Sequence, residues 1–263
     1  MPTIVHHPFR ADEKTIEQIE DRILLGASAL ASKAEIDQIK VEDVVREASV
    51  SRPALRRLYG SVADLLRVLG RRLTNELTAN CLAQSPEMPD VVVRVATKTR
   101  WALLTVAEFP VVTRLLLKAE WPSTDARHLM YRDVERDVVE GIRQGVFADM
   151  PPSIGVNLVL GCLRGSARDI INEGCSNDYI NQVVSRILLG LGVDKAIAHA
   201  VMNRPALALP PMPSRGLASS VLSLQVPRGN PPRESGSSAA AQSSDASAGN
   251  ETCGPQAGTT VMR

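Results

Sequence analysis

Hydrophobic positions recur at intervals of three and four residues through most of the chain, which is the period of an amphipathic α-helix. The first such stretch begins at Thr15 and places on one face Ile16, Ile19, Ile23, Leu24, Ala27 and Leu30. Two short amphipathic segments follow at 40–48 and 52–59. No stretch of the sequence alternates apolar and polar residues for long, so the pattern predicts an all-α fold.

Capping residues and prolines mark where these helices begin and end. Ser51 is a good N-cap, and Pro53 stands in the first turn that it would open. Gly60 is typical of a helix stop, and Ser61 can begin a longer helix with a leucine stripe. Further along, prolines separate helices predicted near 90–108, 110–119, 123–146, 152–173 and 177–191. The sequence therefore predicts about nine helices.

The composition changes near Ala208, where Pro, Gly, Ser and Ala become dominant. Such a segment buries too little apolar surface to offset its chain entropy. It predicts a disordered tail over 208–263. Within it, "LASSVLSLQV" at 217–226 leaves open a transient helix or a docking segment, against plain disorder.

The near-neutral net charge of +1 hides an uneven distribution of charge. From Asp12 to Glu47 the chain has ten acidic and five basic residues. From Arg52 to Arg72 it has six arginines and a single acid, Asp64. A short helix, a tight turn and a short basic helix form a helix-turn-helix, whose second helix enters the major groove of DNA. Arginine binds both guanine edges and phosphates.

The two faces of the 52–59 helix have different expected roles. Leu55 is expected in the core, and Tyr59 in the core or at DNA. Arg52 and Arg56 share the opposite face and are predicted to contact bases or phosphates, and the small Ala54 permits close approach. For Arg57, DNA contact and pairing with Asp64 or Glu47 both stay open. The solvated-face interpretation is preferred for Arg67, Arg71 and Arg72.

The segment "VSRPALRRLYGSVADLL" at 50–66 resembles the N-terminal module of the TetR/AcrR family of bacterial regulators. The matching positions are Val50, Ser51, Leu55, Arg57, Gly60, Ser61, Leu65 and Leu66, with Arg52 and Tyr59 matching in type. Arg56, Leu58 and Val62 depart from the usual Tyr, His and Lys. Lys40 replaces a capping Thr or Ser, and Ser49 replaces a turn glycine, so a strained or altered turn is expected there.

The resemblance, together with the sequence of the two ends, predicts a division of the chain into four parts. They are a flexible arm at 1–12, a helix-turn-helix domain with its connecting helix at 13–82, a helical ligand-binding and dimerisation domain at 88–205, and the tail at 208–263. The residues predicted to bind DNA are Lys40, Ser51, Arg52, Ala54, Arg56, Arg57 and Tyr59. The partners implied are a palindromic double-stranded operator, a second copy of the chain, and a small-molecule effector.

Residues of the second domain are candidates for an effector pocket and a dimer interface. Trp101, Leu104, Trp121 and Tyr131 are predicted to line the pocket, with plain core as the alternative. Gly155, Gly161 and Gly165 lie in an apolar helix, where a compensating close helix contact is expected. The helix near 177–191 has a broad apolar face and is predicted to pair across a two-fold axis, with intrachain core as the alternative.

No catalytic motif is recognisable, and the four cysteines and four histidines form no metal pattern. We therefore expect no enzyme activity, cofactor or metal. The N-terminus lacks a secretory signal and no apolar run reaches membrane-spanning length, so a cytoplasmic protein without membrane contact is expected. The function predicted is a dimeric transcriptional regulator, more specifically a ligand-responsive repressor. The alternative is a helical ligand-binding or interaction module with weakened or lost DNA binding.

Overall fold

A computed structural model describes residues 9–33, 36–119, 121 and 128–224, with side chains from Thr15 onward. Eleven α-helices and one 3-10 turn occupy these residues, and no β-strand occurs among them. The helices are α1 Phe9–Lys33, α2 Val41–Glu47, α3 Arg52–Leu58, α4 Val62–Gln84, α5 Val91–Glu108, α6 Pro110–Lys118, α7 Leu129–Arg143, α8 Pro152–Glu173, α9 Asn177–Gly190, α10 Lys195–Met202 and α11 Gly216–Ser223, and the 3-10 turn is Ile36–Gln38. The all-α prediction is confirmed.

The helix starts follow the capping residues of the sequence. The Ser51 hydroxyl accepts a hydrogen bond from the backbone N–H of Ala54 at 3.2 Å, and the Ser61 hydroxyl accepts one from Asp64 at 3.1 Å. Asp90 caps α5 by accepting from Val92 and Val93. These side chains satisfy backbone donors that the first turn of a helix leaves unpaired. The predicted caps at Ser51 and Ser61 are confirmed.

The core runs continuously from α1 to α11. In the N-terminal part α1 contacts α2, α3 and α4, and Ile23 and Leu24 are fully buried between them. In the second part α5 and α8 pack on each other and each also packs on α7 and α9, around fully buried leucines such as Leu103 and Leu188. The long α4 belongs to both parts, because it also contacts α6 and α7. No helix among the described residues is long and apolar enough to cross a membrane.

The structure corrects the predicted ends of the folded region. Helix α1 begins at Phe9, so residues 9–12 of the predicted flexible arm are helical, while 1–8 lie outside the described residues. The polar first turns of α1 lack the apolar repeat on which the prediction relied. Helix α10 was missed because it has only eight residues, and it is capped by Asp194, whose carboxylate accepts from Ala196 at 2.8 Å.

The predicted start of disorder at 208 is also wrong for the described residues 208–224. Helix α11 packs on α1 and α4, with Ala218 and Val221 buried. The Glu76 carboxylate on α4 accepts the backbone N–H of Ala218 at 2.8 Å. Eight residues of such a segment are not stable alone, so these tertiary contacts determine the helix. Residues 225–263 of the predicted tail lie outside the described residues.

Candidate DNA-binding surface and effector cavity

Helices α2 and α3 form a helix-turn-helix held against α1. Leu55 and Tyr59, on one face of α3, have 4% and 6% of their surface exposed. The Tyr59 hydroxyl donates to the Glu20 carboxylate on α1 at 3.1 Å. Burial, and then the charge of Glu20, raise the pKa of Tyr59 well above its usual range. Tyr59 therefore anchors α3 to α1, and the opposite face of α3 is turned to solvent.

The turn between α2 and α3 contains Ser49 in the left-handed region, with φ of 51°. The Arg22 guanidinium on α1 donates to the Ala48 carbonyl from Nε at 3.2 Å and from Nη2 at 3.0 Å, and it also reaches the Ser49 carbonyl. A Cβ on Gly26 of α1 would lie 3.0 Å from the backbone nitrogen of Ala48, so the helix and the turn are in close contact. The expected strain at Ser49 is confirmed.

Replacing Ser49 with glycine is expected to raise the free energy of unfolding by about 0.5–1 kcal/mol. The left-handed conformation costs an L-residue about 1–2 kcal/mol, and the greater chain entropy of glycine removes part of that gain. Chemical denaturation measures the difference. The matched control is Ser49→Ala, which removes the hydroxyl but keeps the Cβ, and stabilisation by alanine as large as by glycine would contradict the explanation.

The arginines of α3 differ in their ion pairs. Arg52 pairs with Glu42 on α2. Arg56 and Arg57 are exposed, and neither forms an ion pair with any other described residue. Both partners proposed for Arg57 are occupied, Asp64 by Arg67 at 2.6 Å and Glu47 by Lys33 at 3.1 Å. The exposed face of α3 thus presents two uncompensated positive charges.

A cavity of about 110 Å³ lies between α4, α5, α6, α7 and α8. Most of its lining is apolar, with Trp101 and Trp121 among the largest side chains. Polar atoms form only a small part of the cavity wall. The hydroxyl of Thr78 on α4 is buried without a hydrogen-bond partner among the described residues. Lys98, Asp133 and Asp137 form a charged part of the wall.

The charged wall is a network between α5 and α7. The Lys98 ammonium donates to both carboxylate oxygens of Asp133 and to Oδ2 of Asp137, each at 2.8 Å. Arg94 Nε donates to Oδ1 of Asp137 at 2.9 Å. Arg136 reaches both carboxylates from the solvent side. Asp133 and Asp137 are 8% and 2% exposed, so these charges are buried and paired.

The comparisons with known proteins concern the fold. RolR, solved in complex with resorcinol, superposes with a TM-score of 0.60 at 14% identity, over 75% of this chain and 99% of its own. RolR without ligand superposes with a TM-score of 0.57 at 15% identity, over 70% of this chain and 97% of its own. The chain has the TetR/AcrR fold. A TetR-family regulator from Haemophilus influenzae also matches, with 13% identity, coverage of 70% and 98%, and a TM-score of 0.49. No family model and no curated protein matches the sequence.

Within this TetR-like fold the predicted DNA-binding residues occupy different places. Arg52, Arg56 and Arg57 are exposed on α3, and Ala54 is half-buried there. Lys40 and Ser51 are exposed at the N-caps of α2 and α3. The Ser51 hydroxyl is engaged as the cap of α3, and the backbone N–H of Lys40 donates to Asp43 at 3.2 Å at the start of α2. Tyr59 is in the core, which resolves the alternative that the sequence left open.

The predicted pocket residues of this TetR-like fold divide evenly. Trp101 and Trp121 line the cavity, whereas Leu104 and Tyr131 do not and instead pack against the core. On α5 the face toward the cavity carries Lys98, Ala102 and Thr105. Trp101 lies at the edge of this face, and Leu104 lies about 60° further round the helix, outside it. The sequence could not fix this rotation without knowing which helices surround α5.

Sequence reasoning missed the charged network altogether. A signal was present, because Arg94 and Lys98 are four residues apart on α5 and Asp133 and Asp137 are four apart on α7. Each pair therefore lies on one helix face. Only the packing of α5 against α7 identifies the two faces as partners rather than as two solvated surfaces.

Proposed function

We propose that the protein is a transcriptional regulator that binds DNA as a homodimer through α3 and responds to a small molecule in the cavity. The observation that carries this proposal is the exposed face of α3, where Arg56 and Arg57 have no ion-pair partner among the described residues. In a helix-turn-helix this face enters the major groove. The more specific proposal is a repressor that is released from a palindromic operator by its effector.

The proposed DNA contacts are divided between base edges and phosphates. Arg56 and Arg57 are free to bind guanine edges or phosphate oxygens, and Ala54 allows close approach of α3 to a thymine methyl. Lys40, at the start of α2, is placed to hold phosphate. Arg52 must break its ion pair with Glu42 before it can contact DNA, so we expect it to contribute less to DNA binding. Ser51 contributes through the cap, and Tyr59 is left out of the proposed contacts.

Helix α4 offers a route from the cavity to α3. It begins at Val62, directly after α3, and its later turns line the cavity with Thr74, Leu77 and Thr78. A ligand that binds one placement of α4 more tightly than another shifts the populations of both, and with them the position of α3. The bound resorcinol in RolR supports a small-molecule effector for this fold.

A face of α8 is the proposed dimer interface. A Cβ on Gly155 would come within 2.8 Å of Val138, so this glycine serves packing inside the chain. Gly161 and Gly165 have no atom within 4 Å of such a Cβ and lie on an open face of α8, near exposed Ile154. Two glycines four residues apart let another helix approach closely, and in a two-fold dimer that helix is the same face of the partner.

Replacing Gly165 with arginine is expected to weaken dimerisation by about tenfold or more, which corresponds to about 1.4 kcal/mol, because the side chain fills the approach between two copies. Sedimentation at a series of concentrations measures the dimer–monomer equilibrium. Ala200→Arg is the matched control, since it adds the same side chain at an exposed small residue on α10. A Gly165→Arg protein that remains as dimeric as the control would contradict the proposed interface.

Selection of bound sequences from a random DNA pool tests the regulatory function directly. A regulator is expected to enrich a motif with two-fold symmetry, and gel shifts should then give specific affinity that falls steeply with salt. A dimeric protein that enriches no motif, and shifts no specific DNA at low salt, would contradict the proposal. That outcome would favour a ligand-binding or interaction module of the same fold.

A further inference from the structure

The size of the cavity limits the effector to a small molecule. Its volume of about 110 Å³ is below the roughly 150 Å³ of an apolar cavity that holds one benzene ring. Drug-sized ligands occupy sites of roughly 300 Å³ or more. The lining is mostly apolar and includes two tryptophans, Trp101 and Trp121. The cavity therefore has room for no more than one ring, the walls must move outward to admit even that ring, and the apolar lining matches its surface.

In the charged wall of the cavity, carboxylate oxygens can accept further hydrogen bonds, but Lys98 has no N–H group left to donate one. Lys98 has three N–H groups, and three carboxylate oxygens lie within 2.8 Å of its nitrogen, namely both of Asp133 and Oδ2 of Asp137. Oδ1 of Asp133 accepts from Lys98 and Arg136, and Oδ1 of Asp137 accepts from Arg94 and Arg136. Each Oδ2 has Lys98 as its sole partner among the described residues. A carboxylate oxygen accepts about two hydrogen bonds. A bound molecule must therefore donate to this wall.

The charges at the wall favour an uncharged molecule. An anion would meet two carboxylates and find no free N–H on Lys98. A cation would lie beside Lys98 and Arg94, which already neutralise those carboxylates, and it would lose its hydration in an otherwise apolar space. A neutral hydroxyl donates one hydrogen bond without adding a charge, so a hydroxyl on the ring satisfies both requirements.

Thr78 supplies a second polar contact on the opposite helix, α4. Its hydroxyl oxygen is buried and has no hydrogen-bond partner among the described residues. Buried hydroxyls are normally paired, and an unpaired one costs about 1–3 kcal/mol. In contrast, the hydroxyl of Thr105, which lines the same cavity, already donates to the carbonyl of Trp101 at 2.9 Å. Thr78 therefore lacks a partner that a ligand would provide.

We propose that the effector is an uncharged single-ring phenol that donates its hydroxyl proton to Oδ2 of Asp133 or Asp137 and also contacts Thr78. Only the effect of the ligand on DNA binding rests on the proposed function. The binding site itself is defined by the cavity, by the hydrogen-bond capacity of the charged wall and by the unpaired Thr78 hydroxyl. Bound phenol would then bridge α7 and α4, the helix that leads to α3.

Calorimetric titration of the full chain with four single-ring probes tests the ligand class. Phenol is expected to bind at least about tenfold more tightly than toluene, benzoate or benzylammonium, since only phenol combines a neutral ring with a hydroxyl donor. Comparable or tighter binding of any of the other three would overturn the proposal. Absence of binding by all four would overturn it as well. This series requires no variant and is decisive even if substitutions in the cavity impair folding.

Thr78→Val is expected to weaken phenol binding by about fivefold, the effect of one neutral hydrogen bond. Thr105→Val should weaken it less, because its hydroxyl is already paired. Thr97→Val, on α5 outside the cavity, controls for the loss of a half-buried hydroxyl. Equal effects of all three variants would overturn the role of Thr78.

Gel shifts with the selected operator, without phenol, separate the two proposals. A protein that binds phenol but not DNA refutes the regulator alone. A protein that binds DNA but not phenol refutes the ligand class alone.

Discussion

Replacing Lys98 with methionine is expected to lower the free energy of unfolding by about 3 kcal/mol, near the lower end of the range for breaking a buried ion pair. Methionine keeps the length of the side chain but leaves Asp133 and Asp137 without the cation that joins them. Both carboxylates stay buried, and Arg94 and Arg136 compensate them only in part. Chemical denaturation measures the loss.

The double variant Lys98→Met, Asp133→Leu is the informative control for this prediction. It removes a positive and a negative charge together, and Asp137 keeps its arginine partners. Replacing both members of a buried pair with apolar residues is often close to neutral. We therefore expect the double variant to be more stable than Lys98→Met alone. If it is less stable by the sum of the two single losses, the residues are not coupled and the explanation fails.

Replacing Arg56 with alanine is expected to weaken operator binding by about 1–3 kcal/mol, a loss of roughly five- to 150-fold. Arg56 lies on the exposed face of α3 with no ion pair to another described residue, so its whole charge is available to DNA. If it contacts phosphate, the slope of log affinity against log salt should also fall by about one. Gel shifts or fluorescence anisotropy at several salt concentrations measure both quantities.

Arg67→Ala is the matched control for Arg56→Ala. Arg67 is an exposed arginine on α4 that pairs with Asp64 at 2.6 Å, so its removal changes the net charge equally. Operator binding within about twofold of the unmodified protein is expected for this variant, since surface ion pairs contribute little. Equal losses for Arg56→Ala and Arg67→Ala would point to a general charge effect and would contradict a specific role for α3.

The helix-turn-helix was readable from the sequence because its signals are local. Ser51, Pro53, Gly60 and Ser61 mark ends of helices through backbone chemistry that needs no distant partner. The strain at Ser49 was expected from the resemblance, because Ser49 stands where the TetR/AcrR pattern has a turn glycine, and its φ of 51° agrees. The exposed location of Arg56 followed from the apolar positions of Leu55 and Tyr59 on the other face.

The cavity was only partly predictable, because its lining residues come from five helices and are spread over residues 74–163. Trp101 and Trp121 line the cavity, whereas Leu104 and Tyr131 do not, since the rotation of each helix depends on its neighbours. Helix α11 was only one of the alternatives left open for 217–226, for a related reason. Its eight residues are helical because Ala218 and Val221 are buried on α1 and α4 and because Glu76 pairs with its first turn.

The sequence alone determined the all-α class, the helix-turn-helix and the basic character of α3, since these depend on residue spacing, capping and charge within single segments. Tertiary structure alone decided which charges are free and which are paired. In the folded chain Lys98 pairs with Asp133 and Asp137, Arg52 pairs with Glu42, and Arg56 stays exposed. Ion pairs form between side chains that folding brings within about 4 Å, and no pattern along one helix specifies which other helix lies opposite it.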